Sequence, residues 1–370
     1  MYKNNFNWSL YNGNLTWLQT NTIFLTRYGS HAYGTAIVTS DEDFRGICVP
    51  PKEYYLSFFK NFEQAESKDP DLTVFDIKKF FKLAVDNNPN VLELLFIDPS
   101  DYLITTPYGD LLIKHRNKFL SKKCRYTMSG YAHAQMKRIL THRKWLMNPQ
   151  ENKPLRSDFG LTENLQIPKN QLEASFASIT KRIESWLLNE LEDLDPATKQ
   201  CVKNEFISKL LELTKWGIEE QKDKTFVAAA KSLGYETNFI EYIDKEHRYN
   251  QKLREWKQYQ EWKINRNKVR SEMEAKYSMD TKHCMHIVRL MRSCKELLST
   301  GQLLVRRPDA AELLSIRNGA WTFEQLYSWF EQQDAEINEL MAKSVLPHKP
   351  DSKFLEQLCQ QIVEDFYKKL

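Results

Sequence analysis

No run of about 18 apolar residues occurs anywhere in the 370-residue chain, so no membrane span is expected. The six cysteines, Cys48, Cys124, Cys201, Cys284, Cys294 and Cys359, show neither CxxC nor CxH spacing. That pattern argues against structural zinc and for reduced thiols. The amino-terminal stretch MYKNNFNWSLYNGN has no basic-then-apolar leader, and a cytoplasmic location is expected. No P-loop, GxGxxG or Ser-His-Asp arrangement is visible, which removes the common phosphate-loop, dinucleotide and serine-hydrolase readings. A strong charge of one sign is also missing. Lys and Arg number 53 against 49 Asp and Glu, a net +4, so any basic footprint for nucleic acid must be local. What is present, 41% hydrophobic and 28% charged, is a globular composition long enough for two or more domains.

Residues 22 to 49, TIFLTRYGSHAYGTAIVTSDEDFRGICV, organise the rest. Thr22 to Arg27 is apolar and β-branched, which suits a buried strand. Gly29 breaks it, allowing a sharp turn and the close approach of a ligand. Ser30 brings a hydroxyl to a place where a helix can begin and where N–H groups can hold an anion. After ten more residues come Asp41, Glu42 and Asp43, followed by the strand-like run Phe44 to Val49. If the strand includes them, Asp41 and Asp43 share a face and Glu42 points away. Paired carboxylates raise each other's pKa. Mg²⁺ (or Mn²⁺) relieves that conflict, binding one or two carboxylates together with phosphate oxygens. A turn for a triphosphate beside a metal-holding pair belongs to one chemistry, in which a hydroxyl attacks and pyrophosphate leaves.

The pattern GS, ten residues, DED, with Gly34 between, resembles the signature of the DNA polymerase β-type nucleotidyltransferase superfamily. The extended form GSHAYGTAIVTSDEDFRGI, with Arg45 and Gly46 after the second aspartate, is similar to one branch: nucleotidyltransferases of bacteria and large phages, some associated with RNA ligases. The resemblance implies a third carboxylate on a neighbouring strand. Asp76, closing LTVFDI, is the best candidate by position; as an alternative it N-caps the following helix, KKFFKLAVDN. Glu93, in an Asn-Pro-Asn then Glu-Leu-Leu pattern that the family shares, is the reserve, either in the site or bracing a loop. A Lys-His-x-x-His-x-x-Arg-Leu helix from Lys282 and a TG…LVRRPD segment also resemble the family. The resemblance covers residues 22–96 and 277–321 and, more loosely, 128–160.

Elsewhere the reading is coarser. Pro50-Pro51 ends a strand. Tyr54, Tyr55, Phe58 and Phe59 form an aromatic cluster expected in the core, with base stacking as the alternative. A hairpin is expected about Ser67-Lys68-Asp69-Pro70-Asp71. SGYAHAQMKRILTHRKWLMNP is helical up to Asn148-Pro149. Its cationic face (His133, Lys137, Arg138, His142, Arg143, Lys144) is either solvated or tracks phosphates. Helices are expected over 172–194, 196–218 and 226–235. Residues 245–276 set Tyr249, Trp256, Tyr259 and Trp262 among Lys and Arg. That pattern suits a long helix packed on a neighbour or a nucleic-acid surface. In the next helix Lys282, His283, His286 and Arg289 lie mostly on one face and Ile287, Leu290, Met291 and Cys294 on the other, with Gly301 as terminator. No third ligand accompanies His283 and His286, so phosphate or acceptor contact is favoured over metal.

The expected architecture is therefore α+β. A small mixed-sheet nucleotidyltransferase domain spans 1–126, followed by a mainly helical domain, 127–370, with a charged helical segment at about 165–275. The expected reaction transfers a nucleoside monophosphate from a nucleoside triphosphate to an acceptor hydroxyl, with RNA favoured as acceptor. Asp41, Asp43 and Asp76 are the expected catalytic and metal-holding residues. Gly29, Ser30, Arg45, Lys282, His286 and Arg289 are expected to bind substrate. Transfer to a protein or small-molecule hydroxyl, and a non-catalytic nucleotide- or RNA-binding module, are the rivals.

Overall fold

The computed structural model describes residues 3–188, 224–266 and 268–368. The fold is α+β: among the described residues there is one five-stranded mixed sheet, and the rest is mainly helices. The strands are β1 Thr22–Tyr28, β2 Asp43–Cys48, β3 Gln64–Lys68, β4 Asp71–Asp76 and β5 Tyr102–Thr105, in the spatial order β3-β4-β2-β1-β5. β2 pairs antiparallel with β1 and parallel with β4, while β3–β4 and β1–β5 are antiparallel. The parallel β2–β4 pair matters most, because it brings the two strand beginnings to the same end of the sheet.

The chain divides into two compact units. Unit 1 is residues 1–137 together with 281–370, and unit 2 is residues 138–280. The expected boundary after residue 126 is thus replaced by an insertion, since the last ninety residues return to the sheet-bearing unit. The first junction falls inside the helix Cys124–Met147, where no Pro or Gly cluster marks a break in the sequence.

In unit 1, one sheet face packs Leu25, Phe44, Leu72, Val74 and Ile104 against Phe6 and Leu18. The helix Ile77–Val85 buries Phe80 and Phe81, which meet Phe119 edge-on or tilted. The tail helix Ser352–Lys368 packs on it. The helix Thr281–Thr300 is buried on most of its surface, Ile287 and Leu290 included, and packs against Ala310–Arg317 and Phe323–Lys343. Its buried surface takes in polar side chains, His283, Arg289 and Ser293, as well as the apolar ones.

The described residues of unit 2 are mainly helical, with Leu172, Ile179, Phe226, Ala229, Ile240 and Ile243 in one apolar cluster. Its long helix, Thr237–Asn265, directs Tyr259 and Trp262 onto Trp145, with ring centroids 5.9 and 5.4 Å away. These aromatics pack on a neighbour. The cations of the Cys124–Met147 helix are engaged as well: His142 meets Glu274 at 3.0 Å and Lys144 meets Glu255 at 2.8 Å. The helix expected over 196–218, and the end of the one over 172–194, lie outside the described residues.

Candidate active site

The site begins with a row across the sheet end. Tyr28, the last residue of β1, pairs with Asp43, the first of β2, and Asp43 pairs with Asp71, the first of β4. Directly opposed residues in adjacent strands project to the same face, so the Asp43 and Asp71 carboxylates stand side by side. Burial raises the Asp43 pKa, and the charge of Asp71 and a hydrogen bond with it add to the rise; Arg45 and Lys282 pull it down. Arg45 Nη1 donates to Asp71 Oδ1 at 3.0 Å and to Asp71 O at 3.2 Å. Arg45 therefore orients a site carboxylate in this structure.

Gly29 follows Tyr28 directly and opens a helical turn, Gly29–Tyr33. Its φ is +61°, and a Cβ built there would stand 1.9 Å from Asp43 Oδ2. Glycine is required twice over, by the left-handed backbone and by the carboxylate lying against it. Gly34 closes the turn in the left-handed region at φ 74°, with its N–H on His31 O. Thr35 N donates to Ser30 O at 2.9 Å. His31 Nε2 and Thr35 Oγ1 are buried beside this turn without a hydrogen-bond partner. Buried polar atoms are rarely left so.

Asp41 is not on the strand. β2 starts at Asp43, and Asp41 sits exposed in the preceding loop. It nevertheless lines the same cleft of about 880 Å³, with Asp43, Arg45, Lys68, Asp69 and Asp71. Glu42 turns away to Arg27, 3.1 Å distant.

Two expected placements are corrected. Asp76 ends β4, in register with Cys48 rather than Asp43. Five residues of strand, roughly 17 Å, separate it from Asp71. It is buried, it occupies the N-cap position of Ile77–Val85, and Tyr55 Oη donates to its Oδ1 at 2.5 Å. Asp71 takes the place across from Asp43. Arg289 does not line the cleft either. It is buried, with Nη1 on Glu93 Oε1 at 2.6 Å and its guanidinium 3.9 Å from the centre of the Tyr33 ring. Glu93 is 1% exposed and also accepts from Tyr28 Oη at 3.1 Å and Tyr33 Oη at 2.8 Å. Burial opposes the charge on Arg289, but Glu93 and the two tyrosines more than restore it and push its pKa up. Glu93 and Arg289 therefore clamp the two tyrosines that bracket Gly29 and Ser30. Of the remaining cationic face, Lys282 is exposed and near enough to Asp43 to lower its pKa, and His286 is half-buried one turn on.

The segment VRRPD backs the turn from outside. Arg307 N donates to Tyr33 O at 3.0 Å. Arg306 meets Asp101 at 2.5 Å. Arg307 is buried between Glu296 and Asp309.

The donor set suits a hard divalent cation: carboxylate oxygens only, with the Asp43 pKa raised by burial first and by Asp71 next, both of which a cation offsets. Among the described residues no three acidic, His or Cys side chains converge into a ready-made cage. Asp43 and Asp71 would be the fixed ligands, and Asp41, water or substrate oxygens would complete the shell.

Residues 14–149 match the family model described as the RNA repair pathway DNA polymerase beta family. The chain is also 36% identical over 88 residues to an uncharacterized 38.9 kDa protein of Enterobacteria phage T4, from the nrdC-mobD intergenic region. That alignment covers 21% of this chain and 26% of the phage protein, so the chain spans about a quarter of the relative it matches. No solved structure matches. With the Gly-Ser turn against Asp43 and the mixed sheet beneath it, residues 14–149 are similar to the DNA polymerase β-type nucleotidyltransferases described by that family model.

Proposed function

We propose that unit 1 transfers a nucleoside monophosphate from a nucleoside triphosphate to an acceptor hydroxyl on RNA, with Asp43 and Asp71 as the principal holders of Mg²⁺ or Mn²⁺. The observation that carries this is the row Tyr28–Asp43–Asp71, set against the Gly29 turn and opening into a cleft. The divalent ion would supply charge neutralisation at the reacting phosphate and ease loss of the acceptor proton.

The chain's own residues do the positioning. Asp43 and Asp71 present oxygens on one face. Asp41, on its exposed loop, can approach as substrate enters. Arg45 keeps Asp71 aligned. The Gly29–Gly34 turn offers its backbone and the unpartnered His31 Nε2 and Thr35 Oγ1 to the triphosphate. Lys282 adds positive charge beside Asp43, where the phosphates would crowd. Catalysis of this kind is positioning and electrostatics rather than covalent chemistry by the protein. The family's RNA-repair description favours RNA as acceptor.

The test is incubation with each labelled nucleoside triphosphate, Mg²⁺ or Mn²⁺, and separate RNA and protein fractions. Label on RNA that disappears in Asp43→Asn supports the reading. Label on protein or a small molecule moves the acceptor. No label with any fraction leaves a binding module.

A further inference from the structure

The aromatic cluster after β2 does not pack as a whole. Tyr54 packs on Trp17 and Phe62, and Tyr55 caps Asp76. Phe58 and Phe59 are 92% and 89% exposed, with Leu56 beside them at 80%. The two rings lie against each other, centroids 4.6 Å apart. Three large apolar side chains mostly in water, at the end of the helix Glu53–Leu56 and on the loop that follows it, call for an occupant.

The loop that carries them is built. Ser57 Oγ accepts from the N–H groups of Phe59 and Lys60 at 3.1 and 3.2 Å, tying the backbone into a tight turn. Lys60 Nζ is held by Glu53 at 2.8 Å and lies over the Tyr54 ring. The rings are therefore presented from a fixed base. The surroundings are cationic: residues 52–63 and 78–82 carry Lys52, Lys60, Lys78, Lys79 and Lys82 against only Glu53 and Glu63. Lys79 reaches Glu63 at 2.7 Å, and Lys78 lies 4.0 Å from the centre of the Tyr55 ring. These contacts bring the two segments together.

Exposed rings among lysines make a stacking platform with an electrostatic rim, the combination that holds single-stranded nucleic acid without base selection. A protein-binding face would not gain from an excess of lysines in the segments that carry and flank its apolar centre, since interface centres are depleted in charge. We infer that Phe58 and Phe59, with Lys52 and Lys60 on the same segment and Lys78 on the segment beside it, are a docking platform for single-stranded RNA, separate from the carboxylate site. The platform follows the far end of β2, at least five residues of strand from Asp43, roughly 17 Å or more. It would grip the acceptor a few nucleotides away from its reacting end. The choice of RNA as occupant rests on the function proposed above.

The experiment measures binding of a labelled single-stranded oligoribonucleotide of about 20 nucleotides, long enough for several stacking contacts, to the full chain. The Phe58→Ala, Phe59→Ala double variant is expected to bind about tenfold more weakly or worse, with an unchanged melting temperature, because both rings are already in water. Lys52→Gln with Lys60→Gln is expected to flatten the salt dependence by about 1.4 in the logarithmic slope, about 0.7 for each lysine on a single strand. Unchanged affinity in the phenylalanine variant overturns the proposal. So does a wild-type chain that ignores RNA but sediments as a dimer that Phe58→Ser, Phe59→Ser converts to monomer; that result makes the patch a self-association face. Mn²⁺-induced thermal stabilisation is read in parallel. Its absence with phenylalanine-dependent RNA binding intact fails the catalytic reading alone, and the reverse result fails the platform alone.

Discussion

Removing Arg289 tests whether that residue serves the fold or the substrate. The sequence places it on a cationic helix face aimed at phosphates; the structure buries it on Glu93 at 2.6 Å and over Tyr33. Arg289→Ala leaves the Glu93 carboxylate, 1% exposed, without its counter-charge. Breaking a buried pair by deleting one partner costs about 3–5 kcal/mol. At about 2–4 °C per kcal/mol for a unit of this size, the melting temperature should fall by about 6–20 °C. Arg289→Met with Glu93→Leu removes both charges and should recover part of that loss. Recovery stays incomplete because the Tyr28 and Tyr33 hydroxyls lose their shared acceptor, at about 1–3 kcal/mol for each group left unsatisfied. Thermal and urea unfolding of wild type, both single variants and the double variant give the coupling energy directly. An Arg289→Ala chain that melts within about 2 °C of wild type while losing triphosphate affinity would refute the clamp and return Arg289 to the cleft.

Three further outcomes follow from the same geometry. Asp71→Asn should abolish transfer, whereas Asp76→Asn should keep it and lower the melting temperature through the buried contact with Tyr55; single-turnover assays at matched folding separate the two. Gly29→Ala should lose activity and divalent binding together, because its Cβ would displace Asp43 Oδ2 from a position 1.9 Å away; calorimetric titration with Mn²⁺ reads it. The third outcome concerns pH. The folded Asp43 pKa is raised, by burial first and by Asp71 next, so above the usual carboxylate pKa of about 4 the unfolded chain has already lost a proton that the folded chain still holds. Without metal, that contribution to stability is full below this pH and is lost as pH rises through the folded value. Denaturant melts across pH should show the loss, saturating Mg²⁺ should cancel it, and Asp43→Asn should lack both effects.

Much of the site was legible because it is local. The strand, the Gly-Ser turn and the aspartate that opens β2 lie within 22 residues, and alternation and turn chemistry suffice to place them. What the sequence could not supply was strand direction. An antiparallel β4 beside β2 would have brought Asp76 to the Asp43 end; the observed parallel pairing brings Asp71 there. Asp71 was hidden as the last residue of a turn-prone run, Ser67-Lys68-Asp69-Pro70-Asp71. The available signal was that a carboxylate at the start of β2 needs a partner at the start of any parallel neighbour. Arg289 misled for a related reason. Helical periodicity identifies a face but not its occupant, and Glu93, one of the residues closest to the organising motif in function, waited 196 positions away. Phe58 and Phe59 misled because exposed aromatics are uncommon unless something covers them. The insertion of unit 2 left no compositional mark, since its first junction lies within a continuous helix.

The central claim is that Asp43 and Asp71 together hold the divalent ion. It is tested most directly by a crystal structure with Mn²⁺ and a non-hydrolysable nucleoside triphosphate, using the anomalous signal of manganese. The account predicts a peak within coordination distance, about 2.0–2.6 Å, of oxygens from both Asp43 and Asp71, with the triphosphate against the Gly29–Gly34 turn. A peak at Asp76, or a triphosphate bound away from that turn with no manganese between Asp43 and Asp71, would contradict it.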